Sequence, residues 1–162
     1  MEASRPPLPA REEYGAREGE EAGAPLAWDT VSGWLESARY YWLCTARADG
    51  RPHAVAVWGV WMRERLYFTM SPTTVTARIL SENPRALVHL ESASDVAIVE
   101  GTAERLAPEQ VPDDVVESYA AKYDWRIESD DEGMPYFEIR LSLALAWTLP
   151  DIRETARRWR FD

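Results

Sequence analysis

The run His53-Ala54-Val55-Ala56-Val57-Trp58-Gly59-Val60-Trp61 constrains the fold of this chain more than any other stretch. A strand points its side chains alternately to two faces, so a strand with one wet face alternates apolar and polar. Here both sets are mostly apolar. His53, Val55, Val57, Gly59 and Trp61 point one way; Ala54, Ala56, Trp58 and Val60 point the other. Such a strand is expected to be covered on both sides. A small barrel buries only its inner face, so the outer face needs a partner subunit, a ligand, or both.

The flanking sequence supplies more strands. Tyr40 to Ala46 reads as the first, and Asp49-Gly50 is the strongest hairpin-turn signal in the chain. The second runs from Pro52 to Trp61. The polar Arg63-Glu64-Arg65 turns it into a third, Leu66 to Met70. Ser71-Pro72 predicts the start of a helix, with Ser as cap and Pro at the first helical position. Asn83-Pro84 ends that helix. Arg85 to Glu91 and Val96 to Leu106 predict two further strands, with Gly101 marking a bulge or a close approach. In Tyr136 to Trp147 the apolar Phe137, Ile139, Leu141, Leu143, Leu145 and Trp147 alternate with a second set. Helices are predicted from Asp29 or Thr30 to about Ala38, and from Pro108 to about Tyr123. With hairpins and no βαβ alternation, the fold class is mainly β (α+β by content). It is an antiparallel six-stranded barrel with two or three flanking helices.

Residues 1–25 are rich in Pro, Glu, Arg, Ala and Gly, with Tyr14 the only aromatic. They predict a disordered arm, or one that docks on a partner subunit. Residues 26–162 form the single domain. A net charge of −10 argues against nucleic acid and anionic membrane surfaces. No apolar run approaches membrane-spanning length, and no signal-peptide core is present. Cys44, the single cysteine, rules out an internal disulfide, suits a reducing cytoplasm and reads as a buried core thiol.

Phosphate-binding glycine patterns, H-E-x-x-H and G-x-S-x-G are all missing. Two His and one Cys argue against a metal site or a Cys/His nucleophile pair. His53 and His89 lie in predicted strands and read as hydrogen-bonded structural residues, His53 with the better case for function. Thr69, Ser71, Thr73, Thr74 and Thr76 crowd hydroxyls around a helix start, and Arg78 lies one turn on. Free N–H groups and the helix dipole favour an anion there. Ordinary capping accounts for the same residues.

Several segments together carry a family resemblance. They are Ala48-Asp49-Gly50-Arg51-Pro52-His53, Val57-Trp58-Gly59-Val60-Trp61, Leu66-Tyr67-Phe68-Thr69, Ser71-Pro72, Ala77-Arg78, Asn83-Pro84-Arg85, His89-Leu90-Glu91-Ser92 and Val99-Glu100-Gly101. The tail Arg157-Arg158-Trp159-Arg160-Phe161 completes the set. Over residues 26–162 the chain resembles the pyridoxamine 5′-phosphate oxidase-like split β-barrel superfamily, whose members bind FMN or the deazaflavin coenzyme F-420. The resemblance implies a homodimer with two cofactor sites between the barrels. It places the isoalloxazine ring along the second and third strands and the phosphate at the Ser71 helix. The implied cofactor-binding residues are His53, Val57, Trp58, Gly59, Thr69, Ser71, Thr74, Thr76, Arg78, Trp147 and Arg158. The implied function is an FMN-dependent oxidoreductase moving hydride to or from a small-molecule substrate. The alternatives are a non-catalytic flavin-, haem- or small-ligand-binding protein, or an F-420-dependent reductase. No residue stands out as a catalytic acid or base.

One departure is informative. Many members carry Ser-Arg-Lys where this chain has Thr74-Val75-Thr76. Charge-assisted hydrogen bonds are about twice as strong as neutral ones, so a phosphate here is expected to be held more weakly. The acidic tail of the deazaflavin is disfavoured further. Thr76→Lys is therefore expected to tighten FMN. Large aromatics on strands facing a ring-shaped ligand offer stacking area, so Trp58 and Trp147 are expected to line the cleft, with the barrel core as the alternative for Trp147.

Overall fold

The computed structural model describes residues 1–6, 24–149 and 151–162. Among them, β1 (Glu2–Ser4) and α1 (Trp28–Ser37) precede the hairpin β2 (Tyr40–Ala46) and β3 (Pro52–Met62). Then come β4 (Arg65–Thr69), α2 (Val75–Glu82), β5 (Arg85–His89), β6 (Asp95–Arg105) and α3 (Asp113–Tyr123). The chain finishes with β7 (Tyr136–Thr148), α4 (Ile152–Thr155) and β8 (Arg157–Arg160).

Turn chemistry sets the topology. Gly50 takes φ +83°, a conformation a β-carbon would disfavour, and the Arg47–Arg51 loop folds β2 back on β3. All pairings are antiparallel. The order β7-β4-β3-β2-β5-β6 closes on itself through β6–β7, which makes a six-stranded barrel. β8 and β1 extend it from β7. The core holds Leu43, Val57, Leu66, Phe68, Val88, Val99 and Ile139, all buried. Trp28, Val31 and Leu35 of α1 and Ala77 and Leu80 of α2 add to it.

The structure corrects several local expectations. α2 begins at Val75, not at Ser71. The Thr74 N–H is bonded to the Ser71 carbonyl at 3.1 Å, closing a turn first, and Thr74 is the cap. Ala27, without a side-chain cap, precedes α1 in place of Asp29 or Thr30. Pro112 splits the acidic helix into a 3-10 turn (Pro108–Gln110) and α3. Cys44 is only half-buried and lies on the outer face, not in the core. Glu2–Ser4 of the expected arm pair with β8, while residues 7–23 lie outside the described residues.

The sixth strand of the barrel also breaks its expected phase. The β6–β7 register shifts at Glu100/Gly101, where Glu100 faces Leu143 and Gly101 faces Leu141, so Ser142 is the extra residue. A bulge of one residue exchanges the faces beyond it. Ile139 and Leu141 are buried before it, but Ala144 and Ala146 are buried after it. Leu143, Leu145 and Trp147 therefore turn outward, contrary to the simple alternation.

That switch completes an apolar outer surface. Ala56, Trp42, His89, Ile98 and Leu145 stand opposite one another in turn across β3, β2, β5, β6 and β7, and Arg158 of β8 ends the row. Trp42 stacks on His89 with ring centroids 6.4 Å apart. Beside it runs a second row of Ala54, Cys44, Leu87, Glu100 and Leu143. The doubly apolar strand is thus covered from outside in only one half. Val60 packs under α3 with Val115, Val116 and Tyr119, whereas Ala54, Ala56 and Trp58 remain exposed. No described helix is long and apolar enough to cross a membrane.

Candidate functional site

A cleft of about 470 Å³ opens where β3, the end of β4, the start of α2 and the α3–β7 connection meet. Val55, Val57 and Met70 form its apolar base. Trp58, Trp125, Tyr119 and Met134 wall one end, and His53, Ser71, Thr74, Val75 and Thr76 line the other. His53 and Trp58 are five residues apart on β3, roughly 16 Å at the rise of a strand. The cleft is therefore elongated along β3.

The aromatic wall is held from behind. Trp58 stacks on Tyr123 with centroids 4.7 Å apart and planes 14° apart. Trp125 meets Trp58 edge-on at 5.9 Å. The Tyr123 hydroxyl accepts the Gly59 N–H at 2.8 Å and donates to the Arg39 carbonyl at 2.5 Å. Lys122 Nζ donates to the Gly59 carbonyl at 2.8 Å and to the Tyr41 hydroxyl at 3.2 Å. Burial lowers the Lys122 pKa to about 8, and the nearby Arg39 charge adds to this. Burial pushes the Tyr123 hydroxyl up to about 12. These bonds pin α3 to β3 and fix the ring that Trp58 leans on.

The hydroxyl end is neutral. His53 Nε2 and Thr76 Oγ1 share a hydrogen bond at 3.0 Å, and Thr76 is buried. Thr74 Oγ1 accepts the Ala77 N–H at 3.2 Å and donates to the Ser71 carbonyl at 2.9 Å, so its hydroxyl is committed to capping. The Arg78 N–H reaches the Thr74 carbonyl at 3.2 Å. The first N–H groups of a helix lack partners within it, and here those are the groups of Val75 and Thr76. Thr69 Oγ1 bonds the Tyr119 hydroxyl at 3.0 Å, and burial raises the Tyr119 pKa. Apart from His53 and Tyr119, no described residue of the lining carries an acidic or basic side chain.

The structure brings together His53, Val57, Trp58, Thr69, Ser71, Thr74 and Thr76 of the residues implied by sequence. Four others lie elsewhere. Gly59 is one step beyond Trp58, its backbone tied to Tyr123 and Lys122. Arg78 lines a separate pocket, reached from α2 residues that the cleft does not use. Trp147 stands opposite Val96 on the outward-turned part of β7, and Arg158 opposite Leu145 on β8. The expected Thr76→Lys gain also needs revision, because Thr76 is 5% exposed while Val75 is 42% exposed at the rim. Tyr119, Trp125 and Met134 were missed. A lone aromatic in a polar loop was the available signal for Trp125. Asp124, in a left-handed turn at φ +52°, reverses the chain just before it.

A family model described as pyridoxamine 5′-phosphate oxidase matches residues 27–148. The chain belongs to the pyridoxamine 5′-phosphate oxidase family. Among solved structures, an F420 reductase is 22% identical, with 75% of this chain and 98% of that one covered and a TM-score of 0.57. General stress protein 26 from Bacillus anthracis is 16% identical over 82% and 97% of the two chains, with a TM-score of 0.59. A heme-binding protein from Mycobacterium smegmatis is 17% identical, with a TM-score of 0.63; the match covers 85% of this chain and 59% of that protein. At such identities the likeness is one of fold. No curated protein matches.

Proposed function

We propose that this member of the pyridoxamine 5′-phosphate oxidase family is an FMN-dependent oxidoreductase that works as a cytoplasmic homodimer on a small-molecule substrate. The observation that carries the reading is the division of the cleft. One end is apolar and aromatic and suits a planar ring; the other offers hydroxyls and unpaired helix N–H groups to an anion. The residues fit a flavin, with the phosphate held by neutral donors alone. A bound flavin would supply hydride transfer at its N5.

The chain's own residues would do the rest. Val55, Val57 and Trp58 orient the ring against β3. Trp125 and Met134 keep water from it. The Val75 and Thr76 N–H groups take the phosphate, and Thr76 is oriented by His53. The absence of any cation in the lining disfavours the poly-acidic tail of a deazaflavin.

The outer rows, apolar except for His89, Glu100 and the closing Arg158, support a second copy as their cover, since Trp42 alone is 41% exposed. Arg158 points the same way: its Nε is buried without a partner among the described residues. A second barrel on this face would place Trp147 and Arg158 at the shared interface.

A binding role without turnover is the second reading. It is favoured by the lining itself, in which Tyr119 is tied to Thr69 and only His53 remains to move a proton. Titration with FMN and with riboflavin, read by flavin fluorescence, tests the cofactor. Saturable quenching in the parent, weakened roughly tenfold in Trp58→Ala by the loss of about 1.4 kcal/mol of stacking, is the expected result. Failure of both flavins to bind the parent would sink it. Binding without reduction by any nicotinamide or deazaflavin donor would move the assignment to the second reading.

A further inference from the structure

The far side of α2 carries a pocket of its own. About 200 Å³ in volume, it lies between α2 and the β6–β7 ladder, and no residue of its lining is shared with the flavin-type cleft. Leu80, Ala103 and Phe137 give it an apolar floor, all three buried. Arg78 and Arg105 stand at its rim, both exposed. Arg105 faces Phe137 directly across the ladder.

The rim of the pocket is charged. This chain has 28 acidic and 18 basic residues, and several of its arginines are neutralised by carboxylates. Arg51, Arg63, Arg65, Arg126 and Arg140 all pair with carboxylates. Arg78 and Arg105 make no ion pair among the described residues, and no carboxylate lines their pocket. Two like charges at one opening repel each other and concentrate a positive potential there. Such a pair, set over an apolar floor, suits a ligand with an anionic head and a small apolar body.

We propose that this pocket is a second ligand site, separate from the cleft. It takes a small organic anion: a phosphate monoester or carboxylate on an aromatic or aliphatic body. The guanidinium forks hold the head with charge-assisted bonds, and Phe137 and Leu80 take the body.

The test is calorimetric titration of the full chain with phenyl phosphate, benzoate, inorganic phosphate and benzyl alcohol. Phenyl phosphate or benzoate should bind more tightly than inorganic phosphate, which lacks the body, and than benzyl alcohol, which lacks the charge. Whichever of the two binds better identifies the head group. Arg78→Gln and Arg105→Gln should each weaken that probe about tenfold. Arg51→Gln, which removes the same charge elsewhere, and Trp58→Ala, which alters the cleft, should leave it unchanged. Both arginines of the pocket are exposed, so melting temperatures of the variants should match the parent. Equal binding by the parent and the Arg78→Gln/Arg105→Gln double variant would overturn the site. So would loss of the probe in Trp58→Ala, which would place it in the cleft, and so would failure of the parent to bind any of the anions.

Discussion

Val75 and Thr76 are neighbours on α2 with opposite surroundings. Thr76 is buried against His53, whereas Val75 stands exposed at the rim of the cleft. A lysine at 76 would bury an ammonium beside an imidazole. An arginine at 75 would reach the phosphate from solvent. Val75→Arg is therefore expected to tighten FMN roughly tenfold or more and to leave riboflavin unchanged. Equal tightening of both flavins would show that the new charge acts on the ring or the fold. Lys122 makes a second residue-scale prediction. Lysine ordinarily titrates at 10.5, and burial lowers this one to about 8. Between those values the unfolded chain binds the proton and the folded protein does not, so stability rises with pH through that window. Below it both states are protonated and the penalty is constant. Urea unfolding of the parent and of Lys122→Met should diverge from about pH 8 upward, with the parent gaining relative to the variant. A constant difference up to pH 10 would remove Lys122 as the cause.

At the scale of elements, the bulge in β7 shapes both faces of the barrel. Gly101 faces the kink, and a β-carbon there would collide with the Arg140 carbonyl oxygen. Because that neighbour is backbone, Gly101→Ala is expected to cost about 1–3 kcal/mol, the typical range for overpacking, read as a lower urea midpoint. A midpoint equal to the parent's would mean that the bulge relaxes freely. The strands were legible in sequence because each run is long, apolar and bounded by turn residues such as Asp49-Gly50 and Asn83-Pro84. The phase of β7 was not, since one inserted Ser142 leaves the alternation Phe137 to Trp147 intact on paper while exchanging its faces. Half of the cleft was readable from β3 and the hydroxyls before α2. The wall from Tyr119, Trp125 and Met134 was not, because the fold alone brings α3 and its following loop over β3. β8 was hidden for a similar reason: four residues, mostly arginine, form a strand only because β7 offers an edge.

For the whole molecule, the apolar outer rows are expected to seat a second copy. An obligate interface of this kind should bury more than roughly 2,000 Å² in total. Light scattering at micromolar concentration should give a dimer for the parent. Trp42→Glu, which sets a charge in the middle of the first row, should give a folded monomer with an unchanged far-ultraviolet spectrum. A monomeric parent would leave the rows without their proposed cover. The placement of the indoles has an optical consequence. Trp28, Trp61 and Trp159 cluster out of water, with Trp28 centroids 6.3 and 5.3 Å from the other two. Trp58 and Trp125, which line the cleft, are 39% and 48% exposed. The first group should emit at the blue edge of the band and the second at the red edge. Occupation of the cleft should then dim the red edge and spare the blue, while melting of the barrel should carry blue emission to the red. Colour alone would tell a loaded molecule from an unfolding one, with no label attached.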